Sequence, residues 1–245
     1  MSFNRLQIRY QTARSLPAPY AYFYTLMAQP AASNAIRINL AITYPDRNDI
    51  DDDELIAEGF TRDDDFSWSG QLPKAWLETI TKLIAKTRLQ PLDEDKLAED
   101  DDFWDLTIEA SDDSKQGKPA NANDWQYLVQ ELMQAAYEST GRERPFELTY
   151  LNLGNQPGDR ELRLTGSFAE RTVEVQSIQN SRERTQTLPW TTLQQVMRKV
   201  YEHDFDPEEA QFNRPKRDGH WLNLGGEEWY DLRQVRALTK LLGEL

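Results

Sequence analysis

The chain of 245 residues has no cysteine and only two histidines. Without thiols there is no disulfide framework, no thiol catalysis and no thiolate metal site. Two histidines cannot supply the usual zinc ligand set, and no H-E-x-x-H occurs. No apolar run approaches the roughly 18 residues that a membrane helix needs. The opening "MSFNRLQIRY" lacks the apolar core of a secretory leader, so a soluble, cytoplasmic protein is expected. Basic charge is also short: 28 Lys+Arg stand against 42 Asp+Glu, a formal charge of -14. Such a field repels phosphate backbones and anionic lipid, so neither nucleic acid nor a membrane surface is an expected partner. Phosphate-binding motifs are missing too. "LGNQPGDR" (153–160) and "NLGGEEW" (223–229) fit neither G-x-G-x-x-G nor a P-loop and read as turns, and no G-x-S-x-G is found. No catalytic residue, cofactor or metal is therefore expected.

What is present is apolar bulk, acid and a repeat. Aromatics make up 11% of the chain, with seven Trp, which is ample for a packed core. Acid concentrates in residues 1–113, which hold 22 Asp+Glu and 11 Lys+Arg. "DRNDIDDDE" (46–54) and "RDDDF" (62–66) read as solvated turns, and "EDDDFWD" (99–105) as part of a linker. As a calcium loop starting at Asp49 the pattern fails, because its sixth and twelfth positions hold Glu54 and Phe60. His203, in "YEHDFDP", and His220, beside Trp221, read as structural or exposed.

The repeat sets "QLPKAWLETITKLI" (71–84) against "TLPWTTLQQVMRKV" (187–200), 116 positions apart. In each, Leu-Pro leads into an amphipathic helix whose stripe is Leu77, Ile80 and Ile84 in one copy and Leu193, Val196 and Val200 in the other. Two weaker likenesses lie upstream, 51–60 with 158–168 and 5–12 with 105–111. Together they predict an internal duplication of about 100 residues, the size of a small domain. The first lobe spans 1–90, with strands near 5–13, 20–29, 35–44, 54–61 and 65–71 and a helix from 73. An acidic linker spans 91–103. The second lobe spans 104–206, with a strand at 104–111, a loop at "DDSKQGKPANAN", and a helix near 124–139 capped by Asn123 and Gln126 and closed by Gly141. Strands follow at 146–153, 160–168, 171–178 and 183–188, then the helix after Pro189. Residues 207–245 supply a hairpin ("HWLNLGGEEWY") and a helix from Asp231 to Leu242, packed on the second lobe.

The fold class expected is α+β, two related lobes of curved antiparallel sheet with helices packed on one face, joined through their sheets over a continuous core. The β-α-β-β-β-β-α order of the second lobe resembles the TATA-binding-protein-like fold, a curved sheet with helices on one side. That resemblance covers residues 5–202 by element order alone. The first lobe departs from it in having "RSLPAP" where the inner helix would stand. DNA binding is not implied, given the acid.

One candidate surface emerges. In "PYAYFYTLM" (19–27), Tyr20, Tyr22 and Tyr24 alternate with Ala21 and Phe23, so three tyrosines line one face of a strand if Phe23 and Met27 point inward. They serve either as ordinary cross-strand packing or as a contact surface, since each ring brings area at low entropy cost. The expected function is non-catalytic binding or an accessory role, with a protein partner met at the open sheet face, or a basic one met at the acidic first lobe. The rival readings are an apolar small molecule held between sheet and helices in a cavity of several hundred Å³, a metal-dependent enzyme using the acidic loops, and a mimic of DNA charge.

Overall fold

The computed structural model describes residues 3–111, 113–154 and 158–245. Two compact units divide between Ala136 and Tyr137. The fold is α+β, with an antiparallel sheet of seven strands in the first unit and one of six in the second.

In the first unit, β1 (Arg5–Gln11), β2 (Phe23–Pro30), β3 (Ile36–Thr43) and β4 (Phe66–Leu72) form a meander. Their burial alternates with period two. Leu6, Ile8 and Tyr10 on β1, Tyr24, Leu26 and Ala28 on β2, and Ile36, Ile38, Leu40 and Ile42 on β3 all point to one face. Helix α1 (Asp52–Ala57) lies between β3 and β4, and α2 (Lys74–Lys86) follows β4 and lies against β3. Then come β5 (Leu89–Gln90), β6 (Phe103–Ala110), β7 (Asp113–Pro119) and α3 (Ala122–Ser139), with strand order β4-β3-β2-β1-β6-β7-β5. In the second unit, β8 (Phe146–Leu153), β9 (Arg160–Ser167), β10 (Thr172–Gln179) and β11 (Arg182–Leu188) form another meander. Helix α4 (Trp190–Tyr201), β12 (Gly219–Asn223), β13 (Tyr230–Asp231) and α5 (Arg236–Glu244) complete it, in the order β11-β10-β9-β8-β12-β13. Its core gathers Leu162 and Leu164 of β9, Val173 and Val175 of β10, Val196 and Val200 of α4, and Leu238 and Leu242 of α5. Leu222, Leu232, Leu238 and Leu242 of the tail from 207 thus belong to the second unit's core.

The expected boundary is displaced. Strand β6 does not open a second lobe but pairs with β1 from Arg5–Glu109 to Gln11–Phe103. The first strand of a meander has a free edge, and its unpaired N–H and C=O groups are satisfied by the returning chain. The acidic 91–103 stretch is therefore a connection inside the first unit, and the expected lobe 104–206 is divided between two sheets. Both units share a four-strand meander, a helix after it, two further strands added in succession on the first strand's free edge, and a closing helix; α1 and the short β5 of the first unit have no counterpart in the second. Among the described residues neither unit has a helix between its first two strands.

Of the three sequence likenesses, the long one survives. Pro73 and Pro189 each stand just before the helix in extended backbone (φ -69°, ψ 173° and φ -58°, ψ 145°). Their carbonyls accept from Trp76 N–H at 3.0 Å and Thr192 N–H at 2.9 Å. In α2 the buried stripe is Trp76, Ile80 and Ile84, with Leu77 half-buried beside it. The other two likenesses fail. Residues 5–12 and 105–111 are neighbouring strands, while 51–60 contains a helix and 158–168 a strand. Helix α1 forms because the Asp51 carboxylate accepts from Asp53 N–H at 2.9 Å and three acids fill the first turn.

Three further local expectations shift. The polar "DDSKQGKPANAN" contains β7, where Gly117 (φ +153°) lets Gln90 come close; a Cβ there would lie 2.2 Å from the Gln90 carbonyl oxygen. Asn121, not Asn123, stands at the start of α3, and its side-chain amide donates to Asp124 at 3.0 Å. Gly141 does close α3: its N–H reaches Glu138 O and Arg142 N–H reaches Tyr137 O, a Schellman pair. The last helix begins at Arg236 rather than Asp231, because Asp231 ends β13 and accepts from Arg233 N–H at 3.0 Å.

Candidate functional site

The expected tyrosine stripe is not present as one surface. Only Tyr24 is on β2, and it shares the buried face with Leu26 and Ala28. Phe23 and Met27 take the opposite, outward face, so the parity is the reverse of that expected. Register explains it: Tyr24 pairs with Tyr10 on β1 and Ile42 on β3, both buried. The Tyr24 ring stacks on Tyr10 at 4.9 Å, and Trp104 of β6 packs edge-on to Tyr10 at 4.7 Å. Tyr22 is half-buried, 5.5 Å from the Tyr10 ring and 5.9 Å from Tyr44. Tyr20 is exposed, donates its hydroxyl to Glu58 just past α1, and sits edge-on to Phe60 at 5.5 Å.

The cluster is tied to the acidic connection. The Tyr10 hydroxyl donates to one Asp102 oxygen at 3.0 Å, and the Ala13 N–H donates to the other at 2.9 Å. Burial, then the neighbouring Tyr22 and Asp102, push the Tyr10 phenol well above its ordinary range. Burial does the same to Tyr24 and, to a smaller degree, to Tyr22. These are neutral, packed phenols.

The acidic 44–65 connection is organised by two arginines that sequence reasoning overlooked. Arg47 is 3% exposed. It donates to Pro19 O at 3.1 Å and Thr61 O at 2.9 Å, pairs with Asp64, and stacks on Tyr44 at 3.9 Å and Phe60 at 4.6 Å. Arg62 donates to the carbonyls of Asn48 and Ile50 and pairs with Asp52. Burial opposes ionisation of Asp64, but hydrogen bonds from Thr61 and Arg47 outweigh it and hold the carboxyl below its ordinary value. Two of the acids thus bind arginine. Among the described residues no group of three His, Asp or Glu side chains is placed to hold a metal ion.

The outward face of the first sheet is unusual in composition. Phe23 (41% exposed), Thr25, Met27, Asn39, Ala41, Ser67 and Ser69 share it, and their central part forms a shallow trough of about 360 Å³. No charge lies in that strip. Arg5, Arg9 and Arg37 alternate onto the same face around it. The corresponding strip of the second sheet is ordinary: Glu161, Arg163, Thr165, Glu174 and Gln176 face outward, and Arg163 and Arg214 pair with Glu161.

Two polar clefts lie among the described residues of the second unit. One, of about 710 Å³, is lined by His203, Phe205, Asp206, Tyr230, Asp231 and Arg233, with Asp231 already paired to Arg233 and Arg217. The other, of about 990 Å³, holds Arg160, Arg182 and Arg184. His220 lines neither; its Nδ1 shares a hydrogen bond with the Tyr150 hydroxyl at 2.8 Å. No helix among the described residues is long and apolar enough to cross a membrane. The chain matches no protein-family model, no curated protein and no solved structure.

Proposed function

We propose that the protein is a non-catalytic binding protein that meets a protein partner on the outward face of its first sheet. The observation that carries this is the uncharged strip from Phe23 to Ser69. An antiparallel sheet with one wet face places polar or charged residues there, as β9 and β10 do. β2 and β3 instead place Phe23, Met27 and Ala41 in water, flanked by small hydroxyl side chains that leave the backbone accessible. Flat apolar floors with a polar rim are what protein contacts bury. Arg37 and the cross-strand pairs Arg5–Glu109 and Arg9–Asp105 supply that rim, and a partner with an apolar centre and a mixed polar edge complements it.

Photo-crosslinking residues placed in separate variants at Ala41 and at positions 46–54, in the protein within its native cell extract, test this. A discrete adduct from Ala41 that disappears in the Met27→Glu variant is the expected result. Adducts that form only from positions 46–54 move the contact to the acidic connection, and no adduct from either ends the proposal. We infer as well that the two units descend from one duplicated module of about 110–120 residues, rather than from the 104–206 unit that the spacing suggests. The shared order of six strands in each sheet and the 116-residue offset of the Leu-Pro helices support this, with α1 and β5 as additions to the first unit.

A further inference from the structure

The arginine-lined cleft of the second unit stands apart from the sheet face proposed above. On β10, Val173 and Val175 point into the core, and Ser177 and Gln179 continue the same side of the strand. On β9, Arg160 continues the side of Leu162 and Leu164. In register, Gln179 stands between Arg160 and Arg182, and Ser177 pairs with Arg184. Where the sheet runs past the end of α5 its floor thus turns from apolar to Ser, Gln and Arg, all facing the helix side. Glu183 and Glu244 also border the cleft, but Glu183 projects from the opposite side of β11 and accepts from Gln176, and Glu244 lies 3.9 Å from Lys240.

Arg160 is held in place. Its Nε donates to Ser177 Oγ at 3.1 Å and its Nη1 to Gly243 O at 2.7 Å. That second bond sets a cation against the C-terminal end of α5, which accounts for Arg160. It does not account for Arg182 and Arg184, two exposed guanidiniums on the edge strand β11 with no carboxylate partner among the described residues. Charge on an edge strand discourages strand addition, but that duty does not require both arginines on the side where a third sits two strands away. Two strand spacings put the Arg160 and Arg182 backbones about 10 Å apart, within reach of two long side chains closing on one small group. The Arg160 side chain leans over Ser177, the cross-strand partner of Arg184.

We propose that this cleft binds the phosphate group of a small molecule. Guanidinium forks match phosphate oxygens bidentately, and a tetrahedral dianion accepts from three directions where one carboxylate satisfies one fork. The long-range field excludes a nucleic-acid backbone, yet locally it permits a small anion: residues 137–245 carry 15 Lys+Arg and 18 Asp+Glu, against 13 and 24 in residues 1–136. A cleft of about 990 Å³ accommodates an ester of modest size.

The test is a ¹H–¹⁵N titration of the whole chain with inorganic phosphate and with phenyl phosphate, at ionic strength matched by sodium chloride. Saturable shifts at the Ser177 and Gln179 amides and at the arginine side chains are expected, with millimolar or tighter affinity. Arg182→Gln with Arg184→Gln weakens binding by about tenfold or more, without lowering the melting temperature, since both side chains are exposed. Tighter binding of phenyl phosphate identifies an ester as the ligand, and equal or tighter binding of inorganic phosphate identifies the free ion. Absence of saturation, equal shifts with chloride, or unchanged affinity in the double variant overturns the proposal.

Discussion

Arg47 takes a positive charge out of water in a connection that is otherwise acidic, and the 44–65 segment is arranged to satisfy it. Arg47→Met removes that charge, leaving Asp64 with only its Thr61 hydrogen bonds and two backbone carbonyls without a donor. Fully buried pairs cost about 3–5 kcal/mol when broken this way. Asp64 is 24% exposed, so a loss of about 2 kcal/mol is expected in denaturant unfolding, with faster amide exchange confined to 44–65. Because the Asp64 carboxyl is held below its ordinary value, its contribution is present above the usual carboxylate range and is lost as pH falls through the lowered one. Asp64→Asn should flatten that acid limb. Tyr10 and Tyr24 act in the opposite sense. Their phenols are raised, so the stability that goes with their neutral forms is complete below the ordinary phenol pKa of about 10 and declines as pH rises past it. In an alkaline titration followed by phenolate absorbance, these two rings ionise only as the first unit unfolds, and Tyr24→Phe moves that transition to higher pH.

At the scale of elements, the Leu-Pro-helix passages were legible because they are local. A proline fixes the approach, and an i, i+3, i+7 stripe follows within one helix. The meander strands were legible for the same reason, since β3 and β9 alternate residue by residue. What escaped was decided by partners far away in sequence. β7 reads as a loop because its polar run shows no alternation, yet it is a strand because β6 offers it an edge. Residues 54–61 read as a strand, yet 54–57 are the end of a helix that Asp51 caps. Tyr24 and Phe23 exchanged faces because a shift of one residue in register, set by Tyr10 and Ile42, inverts a whole strand. The close approach of α4 to its sheet was equally invisible. A Cβ on Gly166 would lie 2.5 Å from Leu193 Cδ2, so Gly166→Ala should cost about 1–3 kcal/mol in thermal or denaturant unfolding. Adding Leu193→Ala should give a double variant less destabilised than the sum of the two singles, because the clash then disappears.

At the scale of the whole chain, charge separates the two units. The first carries a net -11 and the second -3 by the counts above. Self-repulsion destabilises a compact, like-charged body and is screened by salt. Raising sodium chloride from low to physiological strength should increase amide protection in residues 3–136 and leave 137–245 nearly unchanged, as hydrogen exchange with mass spectrometry would measure. Equal gains in both units would show that the acid is already neutralised locally by pairs such as Arg47–Asp64 and Arg62–Asp52.

Composition and short-range pattern alone determined the α+β class, the two helices that follow Leu-Pro, the hairpin near 220–230 and the absence of thiol chemistry. These depend on residue chemistry and on periods of two and 3.6, which a sequence displays directly. Only the tertiary structure decided where one unit ends, which strand closes β1, which way the residues of β2 face, and that three arginines from two strands share one cleft. Each of those turns on hydrogen bonds and register between segments up to a hundred residues apart, and no local pattern encodes which distant edge a strand will find.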